Sequence, residues 1–396
     1  MESRVPDEAD TVLVRYGEIG VKSSCVRQKM EETLRRNVAR AVERHEVEAT
    51  VELVWSRVYV EVGEDNGNAV EEATEAASDV FGVSSASPCV VVEAEIDEIA
   101  DALVEVARDC YEGGSFAVDA RRAGDEDAHP FTSEDIEEEG GAAVEDALDA
   151  PVDLDAPDNV FGVECRLDRA FVYAEVRDGP GGLPYGTQAG VVALVSGGID
   201  SPVAVWRAMR RGCPVTLVYI DLGKYGGADH VARAYETAET LAGYTPDGIE
   251  LWHVPGEEAI ETLLDETEDT RMLSYRRFML RVAEGVAEEA GGVGVVTGEA
   301  VGQKSSQTSR NLHATDAAVD MPVHRPLLSF DKPEIVAEAR RIGTYSTSKV
   351  DAGCHSVAPS HPETGASLKK VREAEPDGLF ELADEAVEDG TVEEFE

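Results

Sequence analysis

The sequence predicts two successive halves of different architecture: an α+β region up to about residue 178, then a doubly wound parallel α/β sheet from residue 191 onward. Three observations predict it. An apolar, β-branched run, Val191 to Val195, stops at Ser196-Gly197-Gly198-Ile199-Asp200-Ser201 and is followed by an amphipathic helical pattern, Val203 to Arg211. Beyond it, short apolar strands alternate with helical patterns, the signature of βαβ units. Between the halves, residues 178–190 (DGPGGLPYGTQAG) form a Gly/Pro-rich joint.

In chain order, the first half reads as strand Thr11 to Tyr16, helix Ser23 to Arg44, one strand from Val51 to Val62, and helix Ala69 to Val80. The third of these rests on period-two alternation, with Val51, Leu53 and Trp55 on one face. There follow strand Cys89 to Val92, helix Ile96 to Cys110, strand Phe116 to Ala120, helix Ser133 to Leu148, and paired strands over 160–166 and 170–176. Thr132 and Asp135 have the spacing of a reciprocal cap for the helix at Ser133. In the second half the strands are Val191–Val195, Thr216–Ile220, Ile249–Val254, Val293–Thr297 and one near Val323–Leu328. Asp331-Lys332-Pro333-Glu334 opens a helix with Asp as N-cap and Pro at N1. Residues 373–396 are acidic and are expected to fray.

Composition sets further bounds. The chain has 396 residues, enough for two or three domains, and 42% hydrophobic content supports real cores. No stretch approaches the ~18 apolar residues of a membrane span, and the opening MESRVPDEAD has no apolar signal core, so a soluble cytoplasmic protein is expected. The net charge of −46 is spread along the whole length. That predicts a protein built to stay hydrated in very high salt, as in a halophile. There are eight lysines, so arginine carries most of the positive charge. Such acidity argues against a nucleic-acid partner at ordinary ionic strength, but charge effects are screened within about 3 Å in molar salt. Residues 11–45 also run against the trend, with eight basic residues (Arg15, Lys22, Arg27, Lys29, Arg35, Arg36, Arg40, Arg44) and four acids.

The turn at Ser196 carries the chemistry. A buried strand ending in glycines that open a helix lets backbone N–H groups converge at a positive helix end, an anion cradle. No lysine precedes the serine, which excludes the phosphate loop of kinases and GTPases. SGGxDS instead resembles the PP-loop of ATP pyrophosphatases, which cleave ATP between the α and β phosphates. On this reading Ser196, Gly197, Gly198 and Ser201 contact the pyrophosphate. Asp200, an acceptor that repels phosphate unless Mg²⁺ or a neighbouring donor intervenes, organises the active site or caps the helix. Six cysteines (25, 89, 110, 165, 213, 354) form no CxxC or zinc pattern. Five lie in apolar or element-like stretches and are expected in cores. Cys354 lies in a polar loop, DAGCHSVAPSHP, next to His355.

Further motifs extend the resemblance over nearly the whole chain, to the tRNA 4-thiouridine synthetases, the ThiI-type tRNA sulfurtransferases. YGEIGVKS (16–23) is similar to that family's opening; FAVDARRAG (116–124) and HPFTSEDIEEEGG (129–141) resemble its tRNA-binding THUMP domain. GPGGLPYGTQ (179–188), TGEAVGQKSSQT (297–308) and HRPLLSFDKPEI (324–335) resemble its linker and later catalytic motifs. The resemblance implies a ferredoxin-like domain (1–76), a THUMP domain (77–178), a linker (179–190) and a PP-loop domain (191–396). It implies ATP and Mg²⁺ as cofactors, adenylation of uridine 8 of tRNA at O4, and sulfur delivered as a persulfide by a cysteine desulfurase or other persulfide or sulfide donor. Thiazole synthesis for thiamine is a possible second role.

By the same resemblance Leu194, Val195, Tyr219 and Ile220 lie against adenine, Arg276, Gly298 and Gln307 contact the nucleotide, and Asp200 and Cys354 are the catalytic residues. A homodimer is implied as well. Lys304 stands where the family has a small or apolar residue and is not assigned a role. The stretch after Cys354 holds no second cysteine and is too short for the rhodanese-like domain of longer bacterial members. The alternative is a small-molecule PP-loop ATP pyrophosphatase, an amide- or nucleotide-forming synthetase, which has no use for the long N-terminal half or for Cys354.

Overall fold

The computed structural model describes residues 4–54, 56–63, 68–124, 128–226, 228–346 and 357–396. The chain divides into two compact units, Met1–Pro184 and Tyr185–Glu396.

The first unit opens with β1 (Thr11–Tyr16), α1 (Ser24–Arg44), β2 (Ala49–Val54), β3 (Arg57–Val62), α2 (Ala69–Ser78) and β4 (Val83–Glu93). The strands pair in the order β2-β3-β1-β4, every neighbour antiparallel, which is the βαββαβ ferredoxin-like arrangement. The single strand expected over 51–62 is therefore a hairpin. Val54 pairs with Arg57, and Ser56 takes the left-handed backbone (φ 67) that a tight reversal needs. Alternation continues across the turn without a glycine, so periodicity alone concealed it. Val12, Val14 and Tyr16 of β1 face α1 and α2, packing on Leu34, Val38, Ala73 and Ala77.

β4 is longer than the strand expected from Cys89, and its length builds the rest of the unit. Its first part pairs with β1, and Val90–Glu93 pairs with β7 (Arg169–Tyr173). The same sheet continues through β6 (Asn159–Cys165) to β5 (Phe116–Arg122), and the short β8 (Arg177–Asp178) also pairs with β4. Two helices cover this part, α3 (Ile96–Cys110) and α4 (Ser133–Leu148). α3 buries Ile99, Ala102, Leu103, Val106, Ala107 and Cys110, a stripe at three- and four-residue spacing. α4 starts with the expected reciprocal cap: Asp135 N–H donates to Thr132 Oγ1 (3.1 Å) and Thr132 N–H to the Asp135 carboxylate (2.7 Å). A side chain at Gly140 would come within 2.4 Å of Leu103 Cδ1, so this glycine sets how closely α4 approaches α3.

One buried carboxylate ties the sheet together. Glu164, 4% exposed, takes Arg15 of β1 at 3.0 Å, Arg57 of β3 at 2.8 Å and, from just beyond its own strand, Arg166 at 3.3 Å. The three guanidinium groups hold its carboxyl below the ordinary carboxylate value although burial alone pushes it up.

The second unit contains β9 (Val191–Val195), α5 (Asp200–Arg210), β10 (Val215–Asp221), α6 (Ala228–Ala242), β11 (Ile249–Pro255), α7 (Glu257–Glu266), α8 (Arg271–Ala290), β12 (Val295–Val296), α9 (Ser309–Asp316), β13 (Val323–His324) and α10 (Lys332–Arg341). It closes with α11 (Leu368–Ala374), α12 (Leu379–Glu388) and β14 (Thr391–Phe395). The sheet order is β13-β12-β9-β10-β11-β14, with parallel pairing from β13 to β11, a doubly wound α/β sheet. β9 to β11 step outward in one direction while β12 and β13 lie on the other side of β9. The switch point therefore falls between β9 and β12. Val192 and Leu194 of β9, with Val218 and Ile220 of β10, share a core with α7, α8 and α12.

Three further sequence expectations need correction. The acidic tail is ordered: α12 joins the core through Leu379 and Ala383, and β14 adds an antiparallel edge strand on β11. β14 is held by backbone pairing with mostly exposed side chains, so its composition carried no strand signal. Pro333 stands at the second helical position of α10, behind Lys332, and Glu334 reaches back to the Asp331 N–H (2.8 Å). Of the cysteines expected in cores, Cys25 is exposed on α1, while Cys89, Cys110 and Cys165 are buried and Cys213 half-buried. Burial pushes the Cys89 thiol up to about 12 and those of Cys110 and Cys165 to about 11, which makes them inert. Among the described residues no helix is long and apolar enough to cross a membrane.

Replacing Glu164 with Gln leaves three guanidinium groups without their shared carboxylate, an expected loss of about 3–5 kcal/mol. Because the folded carboxyl titrates below its unfolded value of about 4.3, the stabilisation is present above that pH and disappears as pH falls through the lower folded value. Denaturant unfolding across pH should therefore show wild type and Glu164→Gln separating near neutrality and converging in acid.

Candidate functional site

The site forms at the carboxyl ends of β9 and β12, the position the switch point favours for a ligand. The turn after β9 braces itself. Ser196 N–H donates to Ser201 Oγ (3.0 Å), Ser201 Oγ donates to Ser196 O (3.3 Å), the two hydroxyl oxygens are 3.3 Å apart, and Gly198 N–H donates to Ser196 Oγ (3.4 Å). The hydroxyls of Ser196 and Ser201 thus shape the turn. The start of α5, whose N-cap is Ile199, has no side-chain cap. An uncapped helix start leaves first-turn donors for a ligand.

Asp200 is the first residue of α5 rather than its cap. Its carboxylate accepts from Lys332 Nζ at 2.6 Å, the adjacent donor that an acidic side chain beside a phosphate cradle requires. Lys332 is carried to it by α10, and α10 is joined to α5 by Arg207 Nε donating to Glu338 (2.7 Å). Sequence reasoning used Lys332 only as part of a helix start. Its pairing depends on two helices meeting 132 residues apart.

Gly298, after β12, meets the same helix start from the other side. A Cβ there would lie 2.7 Å from Ser201 N and 2.8 Å from Asp200 C and Ser201 Cα, so only glycine allows this backbone approach. The next residue, Glu299, is 6% exposed and was not singled out by sequence. It pairs with Arg276 from α8 and with Arg325 (2.8 Å), and accepts from Thr297 Oγ1 (3.1 Å). The two arginines hold its carboxyl below the ordinary value against the effect of burial. Gln307, in the amide orientation that satisfies both ends, donates to Ala300 O (2.9 Å) and accepts from Arg276 Nη2 (3.3 Å). Arg276, Gly298 and Gln307 are therefore one cluster, with Glu299 as its hub. Arg276 Nε is buried without a hydrogen-bond partner.

Leu194, Val195, Tyr219 and Ile220 are all buried, at the ends of β9 and β10, and Leu194 stands opposite Val218 and Val195 opposite Tyr219. Leu194 and Ile220 belong to the core against α8. Lys304 is exposed. Cys354 and His355 lie outside the described residues. Among the described residues no group of three or more His, Cys, Asp or Glu gathers as a metal site.

Gly298→Ala forces a Cβ into backbone that cannot rotate away. Overpacking of this kind costs about 1–3 kcal/mol, an expected fall in Tm of roughly 2–12 °C for a unit of this size. Gly197→Ala, whose Cβ would meet only the Arg233 side chain at 3.1 Å, should fall less in the same thermal denaturation.

Comparison with known proteins gives a consistent result in each half. Residues 186–380 match the family model of the thiamine biosynthesis protein ThiI, residues 11–87 the ThiI ferredoxin-like domain and residues 93–175 the THUMP domain. A probable tRNA sulfurtransferase of Halobacterium salinarum is 53% identical over 96% of both chains, and one of Methanosarcina acetivorans is 37% identical over 92% of this chain and 88% of its own. A 4-thiouridine synthetase crystallised as an RNA complex with bound ATP superposes with a TM-score of 0.84, at 31% identity, covering 98% of this chain and 100% of its own. The chain belongs to the ThiI family of tRNA sulfurtransferases.

Proposed function

We propose that this protein is a tRNA 4-thiouridine synthetase, which adenylates O4 of uridine 8 with ATP and then replaces AMP by sulfur. The uncapped start of α5 at the switch point carries the reading, because it offers helix N–H donors to a phosphate in a strand-turn-helix of SGGxDS type. An ATP- and RNA-bound relative of the same architecture supports it. The small-molecule alternative leaves the whole ferredoxin-like and THUMP-matched region without a task.

In the adenylation step O4 of the uracil attacks the α-phosphorus, the bond from that phosphorus to the bridging oxygen breaks, and pyrophosphate leaves with the electron pair. The N3 proton is lost as the ring becomes the O4-adenylate. Charge develops on the phosphates, and the N–H groups at the start of α5 are positioned to receive it. Leu194, Val195, Tyr219 and Ile220 supply an apolar wall for adenine at the strand ends, while Arg276 and Gln307, braced by Glu299, and Gly298 flank the nucleotide. Asp200 is the carboxylate that would hold a Mg²⁺ ion. Bound there, the ion would supply charge neutralisation on the pyrophosphate. Lys332 holds the Asp200 carboxylate in place and offsets its charge.

Sulfur is proposed to arrive as a persulfide from a cysteine desulfurase or another persulfide donor, or as free sulfide. From a persulfide, Cys354 takes the outer sulfur by exchange, leaving the donor's thiol, or attacks the inner sulfur to form a disulfide with the donor and release the outer sulfur as sulfide; free sulfide displaces AMP without it. tRNA is read by the first unit, mainly through shape, since counterion release contributes little in high salt. A homodimer, one subunit holding the RNA while the other modifies it, completes the proposal.

The reading is tested by nucleoside mass spectrometry of tRNA from a strain lacking the gene. 4-Thiouridine should vanish and return with the wild-type gene. Asp200→Ala and Cys354→Ala should restore less than about a hundredth of it, and Lys332→Met less than about a tenth. Unchanged 4-thiouridine in the deletion strain would refute the function. Full restoration by Cys354→Ala would refute the role of that cysteine alone.

A further inference from the structure

The nucleotide half holds a cationic side chain that no sequence motif marks. Arg233 lies in α6, is 5% exposed, and runs along the turn at Gly197. A Cβ built on Gly197 would lie 3.1 Å from Arg233 Cδ, 3.4 Å from its Cβ and 3.7 Å from Nη1. The arginine stem thus fills the space that a side chain at 197 would occupy, and its guanidinium stands beside the turn. The first glycine of SGGxDS leaves room for this neighbour.

The surrounding charges sharpen the point. Lys332 pairs with Asp200 at 2.6 Å and Arg276 with Glu299 in the same unit. His230, one turn before Arg233, is 8% exposed. Its imidazole is pushed below its ordinary value by burial and then by the Arg233 charge, with Asp229 opposing more weakly. The positive charge of Arg233 is therefore felt locally, while the histidine beside it stays neutral at physiological pH.

We propose that Arg233 is a catalytic residue that grips the pyrophosphate as it departs. The inference rests on the adenylation chemistry above. When the bond between the α-phosphorus and the bridging oxygen breaks, the electron pair and its negative charge move onto the pyrophosphate. Backbone N–H groups supply only partial charges. A guanidinium adds a full charge and a planar fork that matches two phosphate oxygens at once.

The test uses the full-length protein in high-potassium buffer, with Arg233→Met and Arg233→Lys. Inorganic pyrophosphate and AMP are titrated separately by calorimetry, and pyrophosphate release from ATP is followed with tRNA present. Arg233→Met should weaken pyrophosphate at least tenfold, leave AMP within twofold of wild type, and slow release roughly 100- to 1,000-fold. Arg233→Lys should recover part of the pyrophosphate affinity. Equal weakening of both ligands would mark Arg233 as structural, and pyrophosphate binding unchanged from wild type would overturn the proposal outright. If the Met variant does not fold, the Lys variant decides by the same comparison. Wild-type protein that releases no pyrophosphate would refute the adenylation reading, while the two titrations still judge Arg233.

Discussion

The second unit is organised around the first turn of α5, which has to be held firmly and yet left uncovered. Its N–H groups are useful only while nothing in the chain caps them, and a helix start so exposed gains no stability from its own side chains. The fold supplies the support from outside. β9 delivers the turn, the serine hydroxyls brace it, Gly298 presses its backbone against Asp200 and Ser201, and Lys332 neutralises the aspartate. These supports come from β9, the segment after β12 and α10.

Charge is handled differently in the interior and at the surface. The buried ion pairs around Glu164, Glu299 and Glu375 all use arginine, and Arg277 itself is 2% exposed while it pairs with Glu375 at 2.6 Å and donates to Ala314 O. Among the described residues lysine takes more open positions, such as Lys224, Lys332 and Lys370. A guanidinium serves several acceptors in one plane and is more weakly hydrated than an ammonium, so it is the better buried cation. In molar salt exposed pairs are screened within a few ångströms, whereas the enclosed arginine clusters retain their strength. The large acidic excess can thus stay on the surface.

Much of this was legible in the sequence. Helix α3, the Thr132 cap of α4, the buried run of β9 and the glycines after it each carry a local signal, whether periodicity, capping chemistry or turn chemistry. The hairpin at Ser56 was not legible, because the alternation passes through it and no Asn-Gly or Gly-Gly marks the reversal. β14 was missed because it is secured by main-chain bonds, and an acidic exposed strand looks like a tail. At the site, the turn and the residues of the TGEAVGQKSSQT stretch could be named from their motifs. Arg233, Glu299 and Lys332 could not be assigned, since their roles arise only where α6, the segment after β12 and α10 converge.

β4 has a consequence for how the first unit can change over time. Eleven residues serve two modules, with the stretch up to Cys89 committed to β1 and Val90 onward to β7. Adding or deleting one residue within it would leave one module intact and turn every side chain of the other inside out. Such an indel would exchange core for solvent in a single step, with no passable intermediate. Length variation in this unit must therefore be absorbed by its loops, and the spacing between the two modules is frozen to the repeat of one extended chain.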